Sequence, residues 1–404
     1  MTFPTDLPQV VLVGTGVVGR AILDAHLAAG VSVCIADVDA AALHSAVNAL
    51  RLDVNAWRKQ PTAIGDMDAI ALIHVSDQVN LSNQAKLSNQ VKLSNQAPAS
   101  SPSRCMVIES IVERLAVKQS FFRAAEEAFG PDAVLCSNTS TLRIGSISEG
   151  LQSPDRVCGM HFFMPVDQRH AVEVVRTDVV SDATIAACTA HAKRIGKSPL
   201  LVRDSPGFIV NRLLSPYLNQ AILLLAHGID EGRIEAAARA YGMPMSPLEL
   251  SDWIGTRTMF DAGRAFWQAF PHRIDPSPIS PAMVKQKRGG RAGGCGFYDY
   301  EDGKRSDRLA PETKAIIQKY ALPPITASDE DLVQLLSIPM WIESQCALEL
   351  GVVDSASDFD LAMSGGLGYR SPQGWTGFFA AVGDDAMATS IEKWSADFKS
   401  MRWS

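Results

Sequence analysis

The sequence predicts an α/β protein: an N-terminal doubly wound sheet followed by two tandem all-α domains. Three observations carry that expectation. Short apolar runs alternate with helix-spaced segments to about residue 203. The spacing then turns helical. Finally, the tail echoes the helical unit that precedes it.

Residues 10–13, Val-Val-Leu-Val, form an apolar run ending at Gly14 and read as a buried strand. Residues 17–29 follow at helical spacing and stop at Gly30, a suitable C-terminal cap. Residues 31–36 form a second apolar run, ending at Asp37. Strand, helix and strand in that order make a right-handed parallel crossover. Further strands are expected at 69–75, 106–108, 133–136 and 157–160, with a helix over 115–129. Three near-identical hexamers starting at Leu81, Leu87 and Leu93 interrupt this sheet, and a Pro/Ser cluster follows at 98–103. Their sparse apolar content gives little to bury. An insertion over about 77–104 is therefore expected to be a surface excursion.

After Asp204, Ser205 suits a helix cap and Pro206 a first helical turn, so a long apolar helix is expected to run to about His227. Being apolar on nearly all sides, it should be buried. Shorter helices are expected over 231–241 and 247–254. Further on, the sequence repeats this pattern. Ile209-Val-Asn-Arg-Leu-Leu-Ser-Pro216 resembles Leu332-Val-Gln-Leu-Leu-Ser-Ile-Pro339, and Tyr241-Gly-Met-Pro-Met-Ser-Pro247 is echoed by Gly368-Tyr-Arg-Ser-Pro372. The period is roughly 123–126 residues. Two related helical domains, an internal pseudo-dimer, are expected. Gln334 stands where the first copy has Asn211, so only the first copy is expected to keep a site.

Composition narrows the function classes. Charged residues make up 20% of the 404 and hydrophobic ones 47%, which supports a substantial core. A formal net charge of −7 argues against general nucleic-acid binding. The seven cysteines are scattered without a CxxC pair, so neither a disulfide framework nor a metal site is expected. The N-terminus lacks the basic and apolar regions of a secretory signal. Residues 213–229 are too short and too polar for a membrane span. A cytoplasmic protein with no membrane partner is expected.

Gly14-x-Gly16-x-x-Gly19 lies between the first strand and the first helix. The first glycine permits the tight turn, the second lets a pyrophosphate approach the backbone, and the third packs helix on strand. Asp37, about 20 residues on, suits the adenosine ribose and repels a 2′-phosphate. No arginine follows it, which favours NAD over NADP. A glycine turn beside a capping aspartate is the plainer alternative, and FAD uses the same fold.

His161 follows an apolar strand, where strand ends meet the cofactor crevice. A neutral imidazole there suits removal of a proton from an alcohol as hydride leaves carbon. Glu173, twelve residues on in the strand-like run 171–175, is an acid in an apolar setting and needs a partner. Paired to the imidazole, it would fix the tautomer. The plain alternative is a structural ion pair. Ser140 and Asn211 are short polar groups able to bond a substrate oxygen. Ser140 also fits a turn, whereas Asn211 is a poor helix former within the long helix. Glu113, beyond the strand at 106–108, either faces the nicotinamide ribose or is solvated. Lys285, Lys287, Arg288 and Arg291 read first as a solvated loop, with an anionic substrate's phosphates as the alternative.

Four segments stand in order: Ser137-Asn-Thr-Ser140, Gly159-Met-His-Phe-Phe163, Val172-Glu-Val-Val175 and Pro206-Gly-Phe-Ile-Val-Asn-Arg212. With these, the chain resembles the L-3-hydroxyacyl-CoA dehydrogenase family over nearly all its length outside the hexamers. The duplicated tail resembles the dehydrogenase part of fatty-acid oxidation complex alpha subunits. The resemblance implies catalytic roles for Ser140, His161, Glu173 and Asn211. It also implies cofactor roles for Gly14, Gly16, Gly19, Asp37 and Glu113. The cofactor would be NAD and the substrate an acyl-CoA.

The implied organisation is a Rossmann-type NAD-binding domain over 1–203, a first helical domain over 204–305 and a degenerate second over 306–404. A monomeric pseudo-dimer or a homodimer is implied, as is association with hydratase or thiolase partners. With the first strand about ten residues in, no upstream hydratase domain is expected. The family's HFFNP reads His161-Phe-Phe-Met164-Pro here, and His170 replaces a usual lysine. Two alternatives are a dehydrogenase of a non-CoA hydroxy acid and a non-catalytic NAD-binding subunit.

Overall fold

The computed structural model describes residues 10–31, 33–49, 62–64, 67–75 and 105–403. The hexamer insertion lies outside the described residues. The chain divides into two compact units, Met1–Asp204 and Ser205–Ser404.

The first unit is built on a nine-stranded sheet. Its strands are β1 (Val10–Val13), β2 (Val33–Asp37), β3 (Thr62–Ile64), β4 (Met67–Val75), β5 (Met106–Glu109), β6 (Val134–Ser137), β7 (Val157–Phe162), β8 (Ala171–Arg176) and β9 (Ser198–Arg203). The order across the sheet is β3-β4-β2-β1-β5-β6-β7-β8-β9. The helices are α1 (Val17–Ala28), α2 (Ala40–Ala49), α3 (Leu115–Phe129), α4 (Ile144–Ile147) and α5 (Asp182–Arg194). β1 pairs in parallel with β2 and with β5, as a crossover through α1 requires. β1 and β5 are buried throughout, as strands covered on both faces must be.

The sheet is not parallel throughout, and β3 pairs antiparallel with β4 at one edge. β4 runs antiparallel to β2, and β8 runs antiparallel to β7. An apolar run reads the same in either direction, so composition alone did not reveal this. The β7–β8 reversal matters most for the site. Its register sets His161 opposite Glu173, with both side chains on one sheet face.

The second unit is helical. It contains α6 (Val210–Ala226), α7 (Glu231–Tyr241), α8 (Pro247–Ile254), α9 (Thr256–Ala269), α10 (Ile279–Lys285), α11 (Pro311–Lys319) and α12 (Asp329–Glu349). After α12 come α13 (Ser357–Leu361), a π-helical turn (Ala362–Leu367), α14 (Gly374–Val382) and α15 (Asp384–Trp394). α6 starts later than expected. Pro206 does not open the helix, because Gly207 and Phe208 take φ of 75° and 49° and turn the chain first. Phe208 holds that left-handed conformation while buried, an uncommon placement for a bulky residue.

α12 packs against α6 and α7. α6 and α12 each carry an internal proline, Pro216 and Pro339. They also end alike. Gly228 N–H donates to Leu225 O and Ile229 N–H to Leu224 O, both at 3.0 Å. Gly351 N–H donates to Leu348 O at 2.9 Å and Val352 N–H to Ala347 O at 2.8 Å.

Candidate active site

The glycine-rich turn has three different glycines in physical terms. Gly14 has φ of 95°, and a Cβ there would lie 2.4 Å from Ser110 O. A Cβ on Gly19 would lie 1.9 Å from Gly14 O, so helix and turn approach as closely as glycine allows. A Cβ on Gly16 would meet nothing within 4 Å. That open face caps α1, whose first turn holds no acid. Amide N–H groups at such a helix start attract phosphate. Asp37 closes β2. Its Oδ2 accepts from Thr15 N–H at 2.6 Å and from Thr15 Oγ1 at 2.7 Å, and its Oδ1 accepts from Asp39 N–H at 2.9 Å. These residues fit NAD: open backbone for the pyrophosphate and an anchored carboxylate for the ribose.

At the middle of the sheet, β5, β6 and β7 are level, with Glu109 paired to Ser137 and Ser137 to Gly159. A buried network joins their ends. Lys118 of α3 places Nζ 2.5 Å from Glu109 Oε1 and 3.3 Å from Glu113 Oε2. Glu109 Oε2 accepts from Ser137 Oγ at 2.7 Å. Glu113 Oε1 accepts from Thr139 Oγ1 at 2.6 Å, Ser140 N–H and Thr141 N–H at 3.0 Å, and Thr141 Oγ1 at 2.9 Å. Glu113 is therefore not simply solvated; it holds the turn that carries Ser140. Burial pushes its carboxyl up, but the Lys118 ammonium and the threonine hydrogen bonds outweigh this and hold it below the usual range.

Lys118 and Glu109 escaped the sequence reading. The available signal was the stripe Lys118, Phe121, Phe122 and Ala125, which puts the ammonium on the buried face of α3. An ammonium buried there demands a carboxylate.

His161 leaves β7 beside this turn in the fold. Its Nδ1 lies 2.6 Å from Glu173 Oε2, and both side chains are buried. The ring meets Phe163 edge-on at 4.7 Å between centroids. Asn138 braces the same strand end: Phe162 N–H donates to its Oδ1 at 2.8 Å, and its Nδ2 donates to Ser110 Oγ at 3.2 Å. Gly159 is obligatory in this packing, since a Cβ there would lie 2.6 Å from Val175 Cβ. Met164 is exposed, as is His170. Ser140, Glu113, His161 and Glu173 all belong to the first unit.

Asn211 lies in the first turn of α6, in the second unit. Its carbonyl accepts from Ser215 Oγ at 2.8 Å. The next residue, Arg212, is fully buried, pairs through Nε with Glu343 Oε1 of α12 and covers the Phe270 ring at 4.7 Å. The basic cluster behaves unevenly. Lys285 and Lys287 are exposed. Arg288 is not part of a solvated loop: it is buried and donates to Gly296 O and to Asp299 Oδ1, both at 2.6 Å. Arg291 stacks on Trp253 at 3.7 Å.

Comparison with known proteins adds to this geometry. Residues 9–205 match the family model described as 3-hydroxyacyl-CoA dehydrogenase, NAD binding domain. Residues 207–300 match the model described as 3-hydroxyacyl-CoA dehydrogenase, C-terminal domain. The fatty acid oxidation complex subunit alpha of Pseudomonas aeruginosa (strain LESB58) is 36% identical over 269 residues, covering 65% of this chain. The same-named protein of Pseudomonas syringae pv. syringae is 35% identical over 271 residues. The chain spans only 38% and 37% of these two relatives.

Among solved structures, (S)-3-hydroxybutyryl-CoA dehydrogenase PaaH1 from Ralstonia eutropha is 28% identical with a TM-score of 0.60. That match covers 74% of this chain and all of the other. The 3-hydroxybutyryl-CoA dehydrogenase from Escherichia coli K12 covers 99% of this chain and 97% of its own, with a TM-score of 0.73 and 24% identity. At that identity, the likeness speaks for the fold of the whole chain.

Proposed function

We propose a reaction from one premise: this chain belongs to the 3-hydroxyacyl-CoA dehydrogenase family. The reaction is reversible oxidation of a (3S)-3-hydroxyacyl-CoA to the 3-ketoacyl-CoA in fatty-acid β-oxidation. NAD, when bound, supplies the hydride acceptor. Glu173 accepts the Nδ1 proton of His161, which puts the basic lone pair on Nε2. His161 takes the hydroxyl proton in oxidation and returns it in reduction. The carboxylate stabilises the imidazolium that forms between the two. Ser140 and Asn211 hold the substrate oxygen where negative charge develops. Gly14, Gly16, Gly19, Asp37 and Glu113 serve the cofactor.

The observation that carries this reading is the buried 2.6 Å pairing of His161 with Glu173 at the end of β7. Loss of a general base costs about a hundredfold or more in rate. His161→Gln is expected to show that loss in steady-state oxidation while still binding NADH in a fluorescence titration. Near-parental turnover would overturn the assignment.

A second reading, a non-CoA hydroxy acid as substrate, draws on the exposed Met164, which lacks the donors of an amide. Rates of NADH formation from 3-hydroxyacyl-CoA and from the free acid separate the two readings. The matched proline positions and identical closures of α6 and α12 support the proposed pseudo-dimer of domains 204–305 and 306–404. Association with hydratase or thiolase partners in the cytoplasm is part of the same proposal; the relatives' name, fatty acid oxidation complex subunit alpha, supports membership of a complex. Among the described residues, no helix is long and apolar enough to cross a membrane.

A further inference from the structure

Thr15 stands between the first two glycines of the turn, and its side chain is turned inward, 1% exposed. It meets the carboxylate at the end of the neighbouring strand. Gly14 N–H donates to Ala36 O at 2.8 Å, which draws the turn against the last residues of β2. From there Thr15 supplies two donors to one oxygen, its amide at 2.6 Å and its hydroxyl at 2.7 Å from Asp37 Oδ2. A carboxylate oxygen has two lone pairs, so Oδ2 is fully used. Asp39 N–H takes one lone pair of Oδ1 at 2.9 Å. Among the described residues, one acceptor position of the carboxylate remains, on Oδ1.

We propose that Thr15 is a positioning residue that sets cofactor selectivity by holding Asp37 in one orientation and leaving Oδ1 as the acceptor offered to the ribose. The inference rests on the NAD site at Gly14, Gly16, Gly19 and Asp37, not on the dehydrogenation chemistry. An aspartate at a strand end can ordinarily rotate away from an incoming phosphate and so lose its power to discriminate. The paired Thr15 donors block that rotation. A 2′-hydroxyl can donate to Oδ1. A 2′-phosphate, mostly dianionic at neutral pH, has no proton to offer and meets a fixed negative charge. The hydroxyl of Thr15 makes the difference, because the amide is present whatever residue occupies the position. Thr15→Val keeps the branched shape and removes that donor alone.

The test measures NADH and NADPH dissociation constants by fluorescence titration for the full-length parent, Thr15→Val, Thr15→Ala, Thr15→Ser and Asp37→Ala. Loss of one hydrogen bond to a charged group should weaken NADH binding of Thr15→Val by about tenfold. NADPH binding should be unchanged or tighter, so the ratio of the two constants narrows. In turnover, the effect should fall on the KM for NAD more than on kcat. Thr15→Ser, which restores a hydroxyl, should recover most of the parental ratio. It also stands in if the valine variant fails to fold, since its ratio must then stay near the parent's while that of Thr15→Ala narrows. A Thr15→Val ratio equal to the parent's overturns the proposal, whatever happens to its melting temperature. If Asp37→Ala also leaves the ratio unchanged, the ribose site itself is misplaced.

Discussion

Among its described residues, the sheet unit contains two buried histidine pairs, and they differ in the partner each ring meets. His161 on β7 faces a carboxylate, with Nδ1 2.6 Å from Glu173 Oε2. His26 on α1 faces another imidazole, with its Nε2 2.9 Å from Nε2 of His191 on α5. All four side chains are buried, so burial does not separate the pairs. The partner does. A carboxylate stabilises the charged imidazolium, which a general base must pass through. Two imidazoles can share a hydrogen bond only while one remains an acceptor. His26 Nδ1 lies 2.7 Å from Ile22 O and must donate to it, so His26 Nε2 accepts and His191 Nε2 donates. Burial pushes His26 down to about 4 and His191 to about 3, helped in each by the Arg194 charge and in His191 by His26. A histidine's place in the core is thus neutral, locked and structural unless an acid stands beside it.

The largest expected effect breaks the first pair. Glu173→Gln keeps the shape and removes the charge that, in the proposed reaction, orients and supports the imidazolium. A loss in kcat of about a hundredfold or more is expected from steady-state kinetics, on the scale of losing general-base assistance. His26→Gln, in the second pair, should leave kcat at neutral pH close to the parent's. If Glu173→Gln turns over like the parent, the carboxylate is a structural partner only and the contrast between the pairs fails.

The second effect acts through pH and on the other pair. Both His26 and His191 have folded values below the ordinary 6.5. Their neutral forms therefore contribute stability above pH about 6.5, and that contribution is lost as pH falls toward about 4 and then 3. The unfolded chain binds the extra protons in that window. At about 1.4 kcal/mol per pH unit for each histidine, the loss is on the order of 5 kcal/mol between about pH 7 and about pH 4.5. Urea unfolding at the two pH values should show it, and His191→Leu should flatten the slope. Parallel slopes for parent and variant would show that this pair does not govern the acid response. Among the described residues, the groups bearing on the pair are Ile22 O from α1 and Arg194 from α5, with no acid to compensate the charge.

The two pairs also differ in how far the sequence revealed them. His161 and Glu173 sit twelve residues apart in two apolar runs, close enough that a strand reversal brings them opposite each other. His26 and His191 are 165 residues apart on different helices. Periodicity can say that each points inward, but their meeting depends on which helices share a sheet face. The same limit applied to β4, whose direction is invisible in an apolar run, and to Lys118, whose carboxylate partner Glu109 lies on another element. At α6 a local rule gave way to local geometry. Pro206 suits a helix start, yet Gly207 and Phe208 turn the chain left-handed first. Short-range pairings and glycine geometry were legible, whereas contacts between distant elements were not.

The smallest expected effect sharpens the contrast at its open end. Met164 follows His161 by three residues and is 44% exposed, whereas His26 is sealed at 0%. The family resemblance expects an asparagine at that position. A thioether is a weak acceptor and no donor, whereas an amide brings two N–H donors. One added hydrogen bond is worth about 1 kcal/mol, or roughly fivefold in an equilibrium or rate. Met164→Asn should therefore raise kcat/KM for a 3-hydroxyacyl-CoA by about that factor and leave the acid stability slope untouched. An exposed side chain can change without unpacking the core, so a clean kinetic reading is expected. A fall in kcat/KM would mean that the methionine's apolar surface is itself a substrate contact. It would then favour a substrate shaped to this chain over the family's acyl-CoA.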